Sequence, residues 1–275
     1  MICTSYTQNF ECVVPPIFKK ALCIIFTLME FGQEATMLKH TKHTLILAAT
    51  LLGTSSASFA DGLYVSAMLG GSEQVNDSEA YGSNIAVDPD FPRGFDSGDG
   101  SAGSLGLGYA YNKQLAFELR LGYHNSDFNS REVGTGAREG EEYILNGDIK
   151  STTLTLEALY DIPVPATIQP YLKAGVGVSR NKYSARLGGA GVAGFDAFDG
   201  TEDGYYDAYA SQTSTEFSWT VGFGASYPLN DSLALVGEYQ LISLGDADTK
   251  QDGFTDGFEI ESAAQEVMIG IRATF

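Results

Sequence analysis

Residues 115–124 alternate strictly. Leu115, Phe117, Leu119, Leu121 and Tyr123 are apolar, while Ala116, Glu118, Arg120, Gly122 and His124 between them are small or polar. A period of two over this length predicts a β-strand with one greasy face. Comparable runs recur near 62–71, 101–111, 149–160, 168–180, 215–227, 232–244 and 263–275, giving eight predicted strands. Each run is about 10 to 14 residues, enough for a tilted strand to cross a bilayer.

The connections alternate as well. Residues 112–113, 161–167 and 228–231 are short and rich in Asn, Asp and Pro, whereas 72–100, 125–148, 181–214 and 245–262 are long. Tight turns at one end and long loops at the other suit an outer-membrane barrel. The predicted fold is therefore all-β: an eight-stranded antiparallel transmembrane up-and-down β-barrel. A soluble sandwich or lipocalin-like barrel is the alternative, but it would turn its apolar face inward and needs no such asymmetry.

The two faces of the strands then take different solvents. Leu105, Leu107 and Tyr109 alternate with Ser104, Gly106 and Gly108; Phe217, Trp219, Val221 and Phe223 alternate with Ser218, Thr220, Gly222 and Gly224. In water the larger face would be an exposed apolar sheet. In lipid it meets a matching solvent, and closure of the ring pairs every backbone amide. Tyr111, Tyr123, Tyr160, Trp219, Tyr227 and Phe275 fall near strand ends, where an aromatic girdle is expected. The opposite face carries Glu118, Arg120, Glu157, Lys173, Glu238, Glu266 and Arg272. An eight-stranded lumen is only wide enough for side chains to fill it, so one paired polar network is expected there. Such a network can act as a static plug or line a narrow water path, and both roles stay open at this point.

Charge and cysteine use narrow the field. The formal net charge is −19, from 35 acidic and 16 basic residues, with no basic cluster of the kind that nucleic-acid binding needs. Of these, 24 acids and six bases lie in the four long connections, which points to a solvated surface that repels its copies. Lys39 and Lys42, the apolar stretch Thr44 to Gly53, and Ser58-Phe59-Ala60 read as a signal peptide over 37–60, cleaved near Ala60. The barrel domain is then 61–275. Residues 1–36 read as a mis-assigned start, with Met37 the true one, or as an unusual extension. Cys3, Cys12 and Cys23 all precede the cleavage point, so no disulfide framework is expected in the exported chain.

Candidate chemistry is sparse. Asp248, Asp252 and Glu259 approximate calcium-loop spacing, with Gly253 at the sixth position. Lys250 occupies a ligand position, however, and strands replace the flanking helices. His124-Asn125-Ser126 superficially resembles the His-x-Ser pair of barrels that deacylate lipid A, in which His serves as base for a Ser nucleophile. Here the lipid face belongs to Leu119, Leu121 and Tyr123, which turns His124 inward to cap its strand at the barrel rim. No catalytic residue and no cofactor is expected.

The last strand, Glu266 to Phe275, has apolar residues at alternate positions and an aromatic terminus. Together with Gly106-Leu107-Gly108-Tyr109, Glu118-Leu119-Arg120-Leu121-Gly122-Tyr123 and Pro170 to Gly177, it resembles the opacity-protein and OmpA-like outer-membrane β-barrel superfamily. The resemblance covers nearly all of 61–275 and implies location in the outer membrane. It implies outer-membrane lipids and lipopolysaccharide as neighbours, and recognition by the barrel-assembly machinery through the C-terminal strand. It further implies a structural, adhesin-like or antigen-like role through a loop-binding surface partner, or alternatively a narrow ion-conducting porin.

Overall fold

The structure is a computed structural model that describes residues 62–81, 89–190, 205–250 and 257–275. The expected signal peptide and residues 1–36 lie outside the described residues. Ten strands form among the described residues: β1 Leu63–Gln74, β2 Ser78–Tyr81, β3 Gly94–Phe95, β4 Asp99–Ala110, β5 Leu115–Val133, β6 Glu142–Asp161, β7 Gln169–Ala190, β8 Tyr205–Asn230, β9 Leu233–Asp248 and β10 Gly257–Thr274. Eight of them close a ring. In the order β1, β4, β5, β6, β7, β8, β9, β10 each is hydrogen-bonded to the next, antiparallel throughout, and β10 returns to β1 from Tyr64↔Thr274 to Gln74↔Ala264. Among the described residues no helix is long and apolar enough to cross a membrane, so crossing falls to the strands.

The tight turns form as their residues dictate. The Asn112 side-chain oxygen accepts from the backbone N–H of Gln114 at 2.8 Å and of Leu115 at 2.9 Å, and Asn230 accepts from Ser232 at 2.9 Å. Such Asx contacts replace ladder bonds where the chain reverses.

At the other end the structure corrects the expected boundaries. The predicted loops 125–148, 181–214 and 245–262 are largely continuations of the strands, which reach 19 residues in β5, 20 in β6, 22 in β7 and 26 in β8. The β5–β6 hairpin stays in register from Leu115↔Tyr160 to Val133↔Glu142, leaving only 134–141 as its tip. The physical reason is a second interior. Above the lipid-type face the strands bury Phe128, Tyr143, Leu145, Ile149, Tyr183, Leu187, Tyr209, Phe258 and Ile260 inside the ring, so pairing continues because there is apolar surface to enclose. β2 sits on this upper part, pairing with β10 where β1 has ended (Phe258↔Ala80).

Candidate functional site

The lumen is filled in two storeys, and the lower one is polar. β5 contributes Glu118 and Arg120, β6 Glu157, β7 Tyr171 and Lys173, and β9 Glu238, all buried. Arg120 spans the lumen: Nη1 donates to Glu238 Oε2 at 2.6 Å, Nη2 to Glu238 Oε1 at 3.0 Å and Nε to Glu118 Oε1 at 2.9 Å, with Glu157 at 3.4 Å. Lys173 Nζ donates to Glu157 at 3.1 Å and Glu238 at 3.0 Å. Tyr171 OH and Ser66 Oγ add donors to Glu238 at 2.6 Å and to Glu118 at 2.9 Å. Glycine makes the room. A Cβ on Gly106 would lie 2.1 Å from Glu118 Oε1, and one on Gly108 2.0 Å from the Tyr64 ring.

Two of the seven expected members stand apart from this cluster. Arg272 is stacked between aromatic rings, 4.8 Å from the Tyr64 centroid and 5.4 Å from that of Tyr171, and its Nε has no hydrogen-bond partner. The expectation of a single ion-paired network is corrected accordingly: position 272 lies near the turn end of β10, where the tyrosines offer π-faces. Glu266 forms a separate group higher in the same polar storey, 2.5 Å from His124 Nδ1 and 2.5 Å from Gln240 Nε2.

His124 is thus a lumen residue and not a cap at the rim. With Nδ1 donating to Glu266, its Nε2 is free to accept from Thr153 Oγ1 at 3.2 Å. The order hydroxyl, imidazole, carboxylate resembles a nucleophile relay. A substrate has no space there, because a Cβ on Gly122 would already lie 2.4 Å from Thr153 Oγ1 and 2.8 Å from the imidazole. Ser126 takes no part, since its hydroxyl donates to Gly98 O at 2.7 Å.

The upper storey is the apolar cap. Phe91 packs edge-on against Tyr143 at 4.6 Å between centroids, and Phe258 packs edge-on against Phe95 at 5.7 Å and Tyr209 at 5.0 Å. The segment carrying Phe91 and Phe95 is tied to β5 and its tip, Asp96 N donating to Ser130 Oγ at 2.9 Å and Thr135 N to Asp90 O at 2.9 Å, and on β2 Ser78 Oγ meets Tyr183 OH at 2.6 Å. Burial, together with the hydrogen bond that the phenol donates to the Glu141 carboxylate, pushes the Tyr143 phenol up to about 12. Sequence reasoning missed this cap.

Outside, the six girdle candidates all point away from the lumen. Tyr111, Tyr160, Tyr227 and Phe275 lie at the turn end, and Tyr123 and Trp219 toward the far end of the apolar runs. Two of the three calcium-loop candidates lie on strands. Asp248 and Glu259 face each other as partners of β9 and β10, Asp248 accepts from the Gln212 amide, and Asp252 lies outside the described residues.

A family model for the outer membrane protein beta-barrel domain matches residues 44–260. The chain belongs to that family. Outer membrane protein PagN of Salmonella typhimurium is 22% identical over 256 residues, covering 84% of this chain and 97% of that one. Among solved structures, OprG of Pseudomonas aeruginosa is 16% identical with a TM-score of 0.49, covering 78% of this chain and 96% of that one. Neisserial surface protein A is 17% identical with a TM-score of 0.43, covering 79% and 100%. This outer membrane β-barrel protein therefore sits in the outer membrane, with the exposed Leu69, Leu105, Leu156, Val176, Phe223 and Ile269 turned outward.

Beyond those apolar runs the outer face of the barrel turns polar. A cleft of about 350 Å³ opens between β5 and β6, lined by Asp127, Asn129, Asn146 and Asp148 with Phe128 and Gly147. Burial opposes ionisation of Asp148, yet hydrogen bonds from Lys150 and Ser184 outweigh it and hold the carboxyl below the usual carboxylate range.

Proposed function

We propose that this protein is a closed, non-conducting surface barrel whose tall extension presents a contact face above the membrane, without catalytic activity. The observation that carries this is the double filling of the lumen, with the Arg120–Glu238–Lys173 cluster below and the Phe95–Phe258–Tyr143 cap above. An ion on this path would have to break a buried, multiply paired charge cluster and then cross an aromatic layer that offers it no hydration. The extension supports the contact role. From His124 to Val133, β5 continues for ten residues, about 33 Å along the strand at about 3.3 Å each. That reach carries its tip well beyond the headgroups, as a surface-interaction protein of the adhesin or antigen type requires.

Planar-bilayer recording of the refolded barrel is expected to show no reproducible conductance steps, in wild type and in Glu118→Gln alike. Discrete steps that change size in Glu118→Gln would overturn the closed reading and restore the porin.

A further inference from the structure

The outward apolar run of β7, Leu172, Ala174, Val176 and Val178, is followed at once by Arg180 and Lys182. On β6 the run ending at Leu154 is followed by Thr152 and Lys150. The ladder makes these one patch: Thr152 pairs with Arg180, and Lys150 directly with Lys182. Like charges placed directly opposite in a sheet are destabilising, and this is the one cross-strand pair of cations among the described residues. Lys150 is held by Asp148 at 2.6 Å, whereas Arg180 and Lys182 make no salt bridge among the described residues, Lys182 acting on Asp148 only at longer range. The like-charged cross-strand pairs elsewhere on the outer face above the lipid are acidic, as with Glu73 opposite Asp99, Asp246 opposite Glu261 and Asp248 opposite Glu259. A chain of net charge −19 thus gathers three cations, matched by the single salt bridge of Lys150, where its β6–β7 wall leaves the lipid.

We propose that this patch binds a phosphorylated glycolipid of the outer leaflet. Arg180, Lys182 and Lys150 take its phosphate, and the adjoining cleft of Asp127, Asn129, Asn146 and Asp148 takes its sugar hydroxyls. A membrane phosphate lies at the depth where the apolar run stops, and it relieves the repulsion between Lys150 and Lys182. Carboxylates and amides on the next residues up β5 and β6 supply the acceptors and donors that a sugar needs and that a plain phospholipid headgroup would leave unused. The patch faces outward, so the proposal is independent of whether the lumen conducts.

Native mass spectrometry of the folded protein in maltoside micelles tests it, with three probes: a bisphosphorylated diglucosamine lipid, its dephosphorylated form, and phosphatidylglycerol. The first is expected to bind far more tightly than the other two. Arg180→Gln/Lys182→Gln is expected to weaken it about 30-fold and Lys182→Gln alone about fivefold, while Lys113→Gln at the turn end changes nothing. Heat-modifiable migration confirms that each variant is folded. Binding unchanged in the double variant, phosphatidylglycerol binding as tightly as the glycolipid, or a soluble sulfated polysaccharide occupying the patch in preference to it would each overturn the proposal.

Discussion

Arg120→Met is expected to destabilise the barrel by about 3–5 kcal/mol, the range for removing one partner of a buried ion pair. Arg120 contacts three carboxylates, Glu118, Glu157 and Glu238, and is itself almost fully buried. Without it, Lys173 is the one cation left in salt-bridge contact with the cluster among the described residues, and it reaches only Glu157 and Glu238. Glu118 then keeps Ser66 Oγ as a neutral donor but loses its cation. Arg120→Lys is expected to recover less than half of the loss, because an ammonium cannot make the two-pronged contact with Glu238 and still reach Glu118. Urea unfolding followed by the fluorescence of Trp219, the single tryptophan, measures this directly. A midpoint equal to wild type for Arg120→Met would show that the cluster is neutralised by other means.

Phe258→Ala is expected to loosen the upper storey while the membrane ring survives. Its ring is fully buried and packs edge-on against both Phe95 and Tyr209, and its backbone pairs with Ala80 of β2. Truncating a buried Phe costs about 3–5 kcal/mol. Here the loss falls on one cap and not on the lower storey. Protease cleavage within 76–97 should therefore accelerate about a hundredfold, with heat-modifiable migration of the barrel retained. Loss of both together would mean that cap and ring fold as one unit.

The two results bear on the same question, which is how one set of strands serves two solvents. In β6 the outward apolar residues Leu154, Leu156 and Tyr160 are even-numbered, whereas the buried Tyr143, Leu145 and Ile149 are odd-numbered. In β10 the odd-numbered Val267, Ile269 and Ile271 face outward, while the even-numbered Phe258 and Ile260 face inward. The strand does not slip; the apolar residues change face. In lipid they belong outside, and above it they belong inside, so the alternation shifts phase by one residue between the two regions. A reader who treats each period-two run as a whole strand stops at that shift and assigns the remainder to loops.

What the sequence by itself determined is therefore the ring: the number of crossing strands, the tight turns, the outward aromatic residues and the charges that face the lumen. Each follows from short-range rules, the period-two pattern and turn chemistry, together with the requirement that no backbone amide be left unpaired in hydrocarbon. Only the tertiary structure decided who pairs with whom across the lumen. Arg120 and Glu238 lie 118 residues apart, and His124 and Glu266 142 apart. Which charge meets which depends on how the strands stagger around the ring, a quantity that no local pattern encodes. The structure likewise decided that Arg272 stacks on tyrosines instead of joining the carboxylates, that Phe91 and Phe95 fold back over the mouth, and that Lys150 and Lys182 stand side by side. Each is a meeting of distant segments, fixed by closure of the barrel.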